Sequence, residues 1–321
     1  MIFLAAALFC APAPLWAEVT ATGDGSPSLS GTEPDPWTVS GEIWIGNTGT
    51  GTLSVENGGS VSNTYGTLGY NSGSDGTATV TGNASSWINA NHLYLGKYGT
   101  GTLNVENGGS VTGTVGYLGM YSGGDGTATV TGAASSWTNA NHLYVGRAGT
   151  GTLSAENGGS VSNADGYLGR YSGSSGTATG TGTASSWSNT GKLYVGMVGT
   201  GTLYVGHDGT GTLNVENGGS VSNKIGYLGY HSTGDGTVTV TGTDSSWDNS
   251  VGLYIGGSEH GSWGTGTVSV LDGGTLNVGG ATKIYAGGTL TLGTSTFTSG
   301  GIAMAGGVMR PVRPLFWLGS R

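Results

Sequence analysis

Short segments in which apolar and polar residues alternate strictly run through most of this 321-residue chain. In the string GTLNVE, which begins at Gly101, the apolar Leu103 and Val105 are separated by polar residues. Successive side chains of a β-strand point to opposite faces, so this period of two predicts a strand whose Leu and Val face a core. Asn-Gly-Gly follows each such strand and tolerates positive φ, which predicts a tight corner.

These strands belong to an internal repeat. Strings of the GTL type begin at Gly51, Gly101, Gly151 and Gly211, and related GTA or GTV strings begin at Gly76, Gly126, Gly176 and Gly236. The two strings align with each other, so each repeat of about 50 residues consists of two coils of about 25 residues. We therefore predict an all-β chain that forms a right-handed parallel β-helix of about ten coils, with three short strands per coil.

A β-propeller is the main alternative, because its blades recur at ~40–50 residues. A propeller requires up-and-down hairpins and closure between its first and last blades. The similarity between the two halves of each repeat and the unequal third interval, which is longer than the others, favour an open solenoid.

The repeat domain is predicted to span 37–300, with one irregular insertion near 201–210. There LYVGMVGTGT is followed at once by LYVGHDGTGT, and ten extra residues do not complete a coil. We expect this segment to bulge outward or to shift a strand. The third repeat also carries Ala155 and Gly180 where other repeats have Val, which predicts that the coils open most easily near 150–210.

The two ends differ in composition from the repeats. Residues 1–17 have an apolar run before Ala17 and predict a secretory signal peptide, and residues 18–36 are interpreted as a linker. Residues 301–321 are predicted to be a disordered or truncated tail. No segment is predicted to span a membrane as a helix. The sequence thus predicts a secreted, extracellular or outer-membrane surface protein.

Composition narrows the function classes. Glycine contributes 69 residues, and charged residues make up only 8% of the chain. Nine basic residues stand against eighteen acidic ones, and three of the basic ones (Arg310, Arg313 and Arg321) are close to the C-terminus. Because the rest of the chain is strongly acidic, nucleic-acid binding is disfavoured. The one cysteine, Cys10, lies in the predicted signal peptide, so neither disulfides nor a thiol nucleophile are expected in the mature chain.

Acidic residues recur once per repeat rather than once per chain. Because an active site occurs once and interrupts a repeat, we interpret the glutamates as a solvent-facing ladder. The loop aspartates give one carboxylate each, which is few for calcium, and Ser175 replaces one of them. The two sets are Glu56, Glu106, Glu156 and Glu216, and Asp75, Asp125 and Asp235.

Histidines have no acidic or serine partner at a fixed spacing. Only His207 and Asp208 lie in a segment that departs from the repeat, which makes the insertion the one place for a unique site. The other histidines are His92, His142, His231 and His260. No catalytic, cofactor-binding or metal-binding residue is predicted.

Aromatic residues form two columns. One tryptophan per repeat aligns with a valine that belongs to the inward alternation, so core filling is favoured over a row of sugar-stacking platforms. The tyrosines of the LYVG and GYLG strings are expected to form an exposed column, suited to contact with a partner or a sister chain. The columns are Trp87, Trp137, Trp187 and Trp247, and Tyr94, Tyr117, Tyr144, Tyr167, Tyr194, Tyr227 and Tyr254.

The strings GTLNVENGGSV from Gly101, SSWTN from Ser135 and LYVG from Leu143 resemble the repeat shared by type V secretion autotransporter passengers and PEP-CTERM-associated proteins. The resemblance covers about residues 51–280. It implies a surface-displayed parallel β-helix of Gram-negative bacteria with an adhesive or structural role. Residues 308–321 do not show the usual C-terminal barrel or sorting signal.

Together these patterns favour a non-enzymatic structural or adhesin-like β-helix. The expected partners are host or matrix glycans or proteins, with no cofactor. A self-assembling extracellular matrix protein, associating through its coil ends, is the second interpretation. A carbohydrate-active β-helix enzyme is the third, and it would need clustered carboxylates with a cation on one face.

Overall fold

The computed structural model describes residues 17–171, 173–189, 202–205 and 209–311, and within these ranges every regular element is a β-strand. Two long sheets wrap around a common core. None of the described residues forms a helix with the length and apolar character needed to cross a bilayer. Nearly all of the predicted signal peptide lies outside the described residues.

The first sheet has thirteen strands. In chain order they are β1 (Glu18–Gly23), β3 (Gly31–Thr32), β6 (Thr50–Glu56), β9 (Asp75–Thr81), β12 (Thr100–Glu106), β14 (Asp125–Thr131), β16 (Thr150–Glu156), β18 (Ser175–Thr181), β21 (Thr210–Glu216), β23 (Asp235–Thr241), β27 (Thr265–Leu271), β29 (Gly288–Leu292) and β31 (Val308–Pro311).

The second sheet has sixteen strands, and one small hairpin lies outside both sheets. The sheet contains β2 (Gly25–Ser26), β4 (Trp37–Thr38), β5 (Glu42–Ile45), β7 (Ser60–Asn63), β8 (Tyr65–Leu68), β10 (Ser86–Asn89), β11 (His92–Leu95), β13 (Ser110–Leu118), β15 (Ser136–Val145), β17 (Ser160–Leu168), β19 (Ser186–Asn189), β20 (Thr202–Val205), β22 (Ser220–Leu228), β24 (Ser246–Ile255), β28 (Thr275–Tyr285) and β30 (Thr296–Ala305), and the hairpin is β25 (Gly257–Ser258) with β26 (Gly261–Ser262).

Successive coils stack in parallel and residue for residue. Strand β12 pairs with β9 on one side and β14 on the other, so that Leu103 lies between Ala78 and Ala128. These three side chains are fully buried, as the alternation predicts. From β6 to β31 the first sheet continues in this way, one strand per coil. The predicted parallel β-helix is confirmed.

The predicted strand of the GSVSN or SSW string and the GYLG or LYVG strand that follows it are separate at the N-terminal end. From β13 onward they join into one strand of nine or more residues in most coils, with an irregularity in the middle. In β15 the register shifts between Asn139 and His142. Each coil therefore contributes to two sheets rather than three.

The corners use the residues that the sequence indicates. Asn107 has φ of 51° and Gly108 has φ of 89°, both in the left-handed region. The amide of Gly108 then donates to the hydroxyl of Ser135 in the next coil, at 3.0 Å. Ser135 is fully buried and is the first serine of the SSW string, so this string closes the preceding corner as well as building its own strand.

Tryptophan fills the core, as predicted. Trp87, Trp137 and Trp247 are fully buried, and Trp187 is 3% exposed. Glycine provides the space: a Cβ on Gly116 would lie 2.7 Å from the indole of Trp137. The tryptophans are core residues and not a row of sugar platforms.

A buried asparagine ladder accompanies the tryptophans and was not anticipated from the sequence. Asn63 accepts a hydrogen bond from the indole of Trp87 at 2.6 Å and donates to Asn89 at 2.8 Å. The same indole–asparagine bond recurs for Trp187 and Trp247. The core therefore contains a row of hydrogen-bonded polar side chains, in which each asparagine helps to fix the orientation of the side chains it bonds.

One rung of this ladder is missing. Gly113 occupies the asparagine position below Trp137. As a result the indole nitrogen of Trp137 and both amide atoms of Asn139 are buried without a hydrogen-bond partner among the described residues. An added Cβ on Gly113 would meet nothing closer than 3.4 Å, so the site has room for a side chain.

Both ends of the domain depart from the expected boundaries. The segment 18–36, expected as a linker, contributes β1, which pairs antiparallel with β6 and buries Val19 and Ala21 completely. Strand β3 pairs with β1 in turn. The apolar residues of β1 complete the core of the first coil, and their burial explains why this segment is a packed strand rather than a flexible linker.

The expected tail begins inside the repeat stack. Strand β30 pairs in parallel with β28, and β31 pairs with β29, so the stack continues to Pro311. Ile302 and Met304 are each 50% exposed on β30. Residues 312–321 lie outside the described residues.

The ten-residue insertion leaves the first sheet intact. Strand β18 pairs with β21 in full register across the longer interval. Strand β20 holds the LYV position against β22. Residues 190–201 and 206–208 lie outside the described residues, so the outward bulge or strand shift expected near 201–210 stays a prediction. A second, shorter insertion is the hairpin β25–β26, which the repeat comparison did not reveal.

Candidate binding face

The LYVG and GYLG strings place a tyrosine on the outer side of the second sheet. Leu143 and Val145 are fully buried on the inside, so Tyr144 between them points outward. Strand register aligns four of these tyrosines in consecutive coils and two more in a later pair of coils. We call these six the tyrosine column: Tyr94, Tyr117, Tyr144 and Tyr167, then Tyr227 and Tyr254.

The rings of the column stack on one another. Between Tyr94 and Tyr117 the ring centroids are 5.1 Å apart, between Tyr117 and Tyr144 they are 4.9 Å apart, and between Tyr144 and Tyr167 they are 4.0 Å apart. The interplanar angles are 16° or less. Neighbouring rings therefore cover each other's faces, and what the column offers to a ligand is ring edges and hydroxyls.

This stacking corrects the expectation of an exposed column. Tyr144, Tyr167 and Tyr227 are between 3% and 6% exposed, while Tyr94 is half-buried. Burial raises the pKa of Tyr167 above its usual value, and the neighbouring Tyr144 adds to the effect. Burial likewise raises the pKa of Tyr227, helped by its hydrogen bond to Glu259 of the β25–β26 hairpin. The column is therefore a semi-buried stack, in which Tyr167 and Tyr227 stay neutral at physiological pH.

Two histidines lie along one side of the column. The His92 ring meets Tyr94 and Tyr117 edge-on, with both centroid distances at 5.9 Å. Burial lowers the pKa of His92, which keeps it neutral near pH 7. His142 has an acidic neighbour after all, because its Nδ1 lies 2.7 Å from a carboxylate oxygen of Asp165. The partner is one coil away, so no fixed spacing within a repeat revealed it.

Three cations lie along the other side. The Lys97 ammonium is 4.2 Å from the ring centre of Tyr70, and the Arg147 guanidinium is 5.1 Å from that of Tyr171. Arg170 lies 4.9–5.2 Å from three tyrosine rings at once. Such distances allow cation–π attraction. We call Lys97, Arg147 and Arg170 the cation track; the three residues occur in different coils.

The glutamates lie on the other sheet and stay apart from one another. Glu106 is flanked in register by Thr81 and Thr131, so the nearest glutamate in the stack is two coils, ~10 Å, away. Glu56 accepts a hydrogen bond from Ser54 of its own strand. The four repeat glutamates form an outer ladder, as the repeat predicts, but they are half-buried rather than fully exposed to solvent. At its N-terminal end Glu56 lies opposite Glu18 of β1, which belongs to no repeat.

The loop aspartates also remain single. Asp75 and Asp125 are exposed at the starts of their strands, and Asp235 accepts a hydrogen bond from Thr265 at 2.8 Å. Across the part of the chain that the structure describes, no three His, Cys, Asp or Glu side chains come together as metal ligands would.

An open cleft of about 510 Å³ lies at the corner between two segments of the second sheet. Its walls include Lys224, Asp248, Asn249 and Asn277. The Asp248 carboxylate accepts a 2.6 Å hydrogen bond from Asn277, which also lines the cleft. Among the residues that line the cleft there is no second carboxylate.

The remaining candidates of the sequence analysis are dispersed. His260 is exposed, with its Nε2 3.7 Å from Glu259, and His231 packs edge-on against Tyr230. Tyr194, His207 and Asp208 lie outside the described residues.

Comparison with known proteins adds little beyond this geometry. No family model and no curated protein matches the sequence. Among solved structures, the chain is similar to one described as the "TibC-catalyzed hyper-glycosylated TibA55-350 fragment". The alignment has 19% identity and a TM-score of 0.30, and it covers 87% of this chain and 96% of that one.

Proposed function

We propose that this protein is a secreted or surface-displayed, non-enzymatic β-helix that acts as an adhesin-like scaffold. The observation that carries the proposal is the tyrosine column, which runs in register along one flank of a repetitive solenoid. A rigid stack that repeats the same chemistry from coil to coil is suited to holding an extended partner at many weak contacts. The partner class is host or matrix glycans or proteins.

The distribution of titratable groups supports a scaffold over a catalyst. Glycoside-cleaving enzymes place two carboxyl groups across one bond. In the described part of the chain, Glu106, Glu156 and Glu216 are flanked in register by threonines, and the carboxylate of Asp165 faces His142. These residues provide no pair of carboxyl groups at the column.

The contact face is tested by adhesion. Beads coated with the protein are applied to immobilised matrix proteins and glycans, and retention under flow is measured. Tyr98 and Tyr171 flank the column and are 41% and 39% exposed, so Tyr98→Ser with Tyr171→Ser should reduce retention severalfold. Ile88→Ser is the control, because Ile88 is 46% exposed but lies away from the column. Equal losses in both variants, or none in either, would reject the face.

Secretion is tested separately. We expect the chain to be cleaved after Ala17 and to reach the cell surface or the medium. N-terminal sequencing of the exported protein and fractionation of expressing cells measure both. An uncleaved chain that stays inside the cell would contradict this part of the proposal.

Self-association is the second candidate, and strand β30 favours it. Ile302 and Met304 are half exposed although they follow the inward positions of Thr282 and Ile284 in the coil below. Exposed apolar edge strands are templates for pairing with another chain. Light scattering after size exclusion should then show a concentration-dependent dimer that Met304→Lys abolishes. At the other end β1 and β3 cover the first coil, which opposes head-to-tail fibres.

A further inference from the structure

We infer that the cation track binds a linear acidic polysaccharide, whose carboxylate or sulfate groups are held by Arg147, Arg170 and Lys97. This inference rests on the proposed function and names the ligand class of its binding face. The chain has twice as many acidic as basic residues, so three cations close together on one flank are unusual.

The track carries net positive charge. Within the described residues, neither Lys97, Arg147 nor Arg170 has a carboxylate within 4 Å. Asp165 belongs to this stretch of the flank and faces His142. The exposed Asp75 and Asp125 begin the strands that pair with β12, which starts three residues after Lys97. Two further acids lie at the ends of the flank. Glu42 accepts from the indole of Trp44, and Glu259 accepts from a tyrosine hydroxyl.

The aromatic rings hold the cations in place without neutralising them. The Arg170 guanidinium lies 4.9–5.2 Å from the ring centres of Tyr144, Tyr167 and Tyr171, and an aromatic ring leaves its charge intact. A guanidinium presents its donors in a fork that fits carboxylate and sulfate oxygens in pairs. Less side-chain entropy is lost on binding when the fork is already ordered.

The spacing of the track fits an extended polymer that runs along the axis of the solenoid. The backbone amide of Arg147 donates to the carbonyl of Gly119, and that of Arg170 donates to Gly146, which places the two arginines in consecutive coils. Coils are ~4.8 Å apart, so the arginines are separated by about the length of one sugar unit and Lys97 lies two coils further along. Tyrosine hydroxyls beside the track offer hydrogen bonds to sugar hydroxyls.

Two other polyanions fit less well. Single-stranded nucleic acids bind by stacking bases on aromatic faces, but the faces of Tyr117 and Tyr144 are covered by neighbouring rings. Three cations are also few for a phosphate backbone. An acidic peptide would bind by adding a strand to a free sheet edge, and the flank has none because the backbone groups of each coil pair with its neighbours.

The test measures binding of oligogalacturonate by calorimetry at low salt, with its methyl ester and a single-stranded DNA of similar charge as comparison ligands. The Arg147→Gln/Arg170→Gln variant should bind oligogalacturonate about tenfold or more weakly. Arg147→Lys/Arg170→Lys keeps the charge and loses the fork, so its affinity should be intermediate. Thermal melts of each variant verify the fold.

The matched control is Lys224→Gln/Arg310→Gln, which removes the same charge from exposed positions outside the track. Its affinity should stay within about twofold of the parent. Lys224 also lines the open cleft. A loss of affinity in this control would therefore show that the ligand binds in the cleft or responds only to the overall charge of the protein, and it would overturn the inference. Equal binding of the neutral ester, or tighter binding of the DNA, would also overturn it.

Failure here is distinguishable from failure of the proposed function. If adhesion through Tyr98 and Tyr171 persists while oligogalacturonate does not bind, the flank is a binding face and the acidic polysaccharide is the wrong partner. If neither occurs, the proposed function fails as well.

Discussion

Gly180 interrupts a column of buried valines, and filling this position should stabilise the solenoid. It lies in register between Ala155 and Val215, and the equivalent residues of other coils include Val105 and Val130. A Cβ built on Gly180 would meet no atom within 4 Å, which shows that the core is locally under-filled. We therefore choose Gly180→Val as the perturbation.

The expected gain is about 2 kcal/mol. Full burial of a valine side chain contributes ~1.5–3 kcal/mol, and replacing glycine in a strand removes a further penalty of ~0.5–1 kcal/mol. Imperfect fit beside Ala155 offsets part of this sum. Urea unfolding followed by tryptophan fluorescence should show a higher midpoint with an unchanged slope.

Gly176 of the same strand provides the control. Its Cβ would lie 2.1 Å from the carbonyl oxygen of Val145, so Gly176→Ala should destabilise the protein by several kcal/mol or prevent folding. An unchanged or lower midpoint for Gly180→Val would refute the reasoning about the void. Hydrogen exchange in the parent should also be fastest near 150–210, because Ala155 and Gly180 fill less of the core than valine would. Uniform protection would contradict that expectation.

Three further predictions follow from buried polar groups. Gly113→Asn should raise the unfolding free energy by about 2 kcal/mol in urea titrations, because it supplies the acceptor that the Trp137 indole lacks; a loss would show that the ladder cannot accommodate it. Ser135→Ala should lower it by ~1–2 kcal/mol in the same assay, since the Gly108 amide loses its acceptor, and no change would contradict this role. Burial lowers the pKa of His92 below its ordinary value of 6.5, so the unfolded chain binds a proton that the folded chain does not. Thermal stability should therefore fall as the pH drops below about 6.5, less so in His92→Gln, and identical profiles would contradict it.

The fold was predictable because its signals are local and repeated. Alternation around Leu103 identified the strand, Asn-Gly-Gly identified the corner, and the half-repeat similarity identified the stacking. Trp137 was assigned to the core because it aligns with Val111, and the register confirms this pairing. The packing of the first residues of the expected linker was not predictable in this way, since Val19 and Ala21 belong to no repeat and their burial depends on an antiparallel pairing with β6.

The candidate face was predicted only in outline. The tyrosines were identified, but their burial was not, because it results from rings stacking at the coil spacing rather than from the sequence around each ring. The contact between His142 and Asp165 joins residues of successive coils, as does that between Arg170 and Tyr144. Aligning whole coils and comparing each position with the next coil would have revealed both.

Hydroxyl-radical footprinting of the ligand complex tests the central claim most directly, because it reports which side chains a bound partner covers. With bound oligogalacturonate, oxidation of Tyr98 and Tyr171 should fall severalfold, while Met304, which is 50% exposed on β30, should be unaffected. Protection of Met304 or of the exposed Ile88, with Tyr98 and Tyr171 unprotected, would show that the partner binds elsewhere and would contradict the assignment of the tyrosine flank as the binding face.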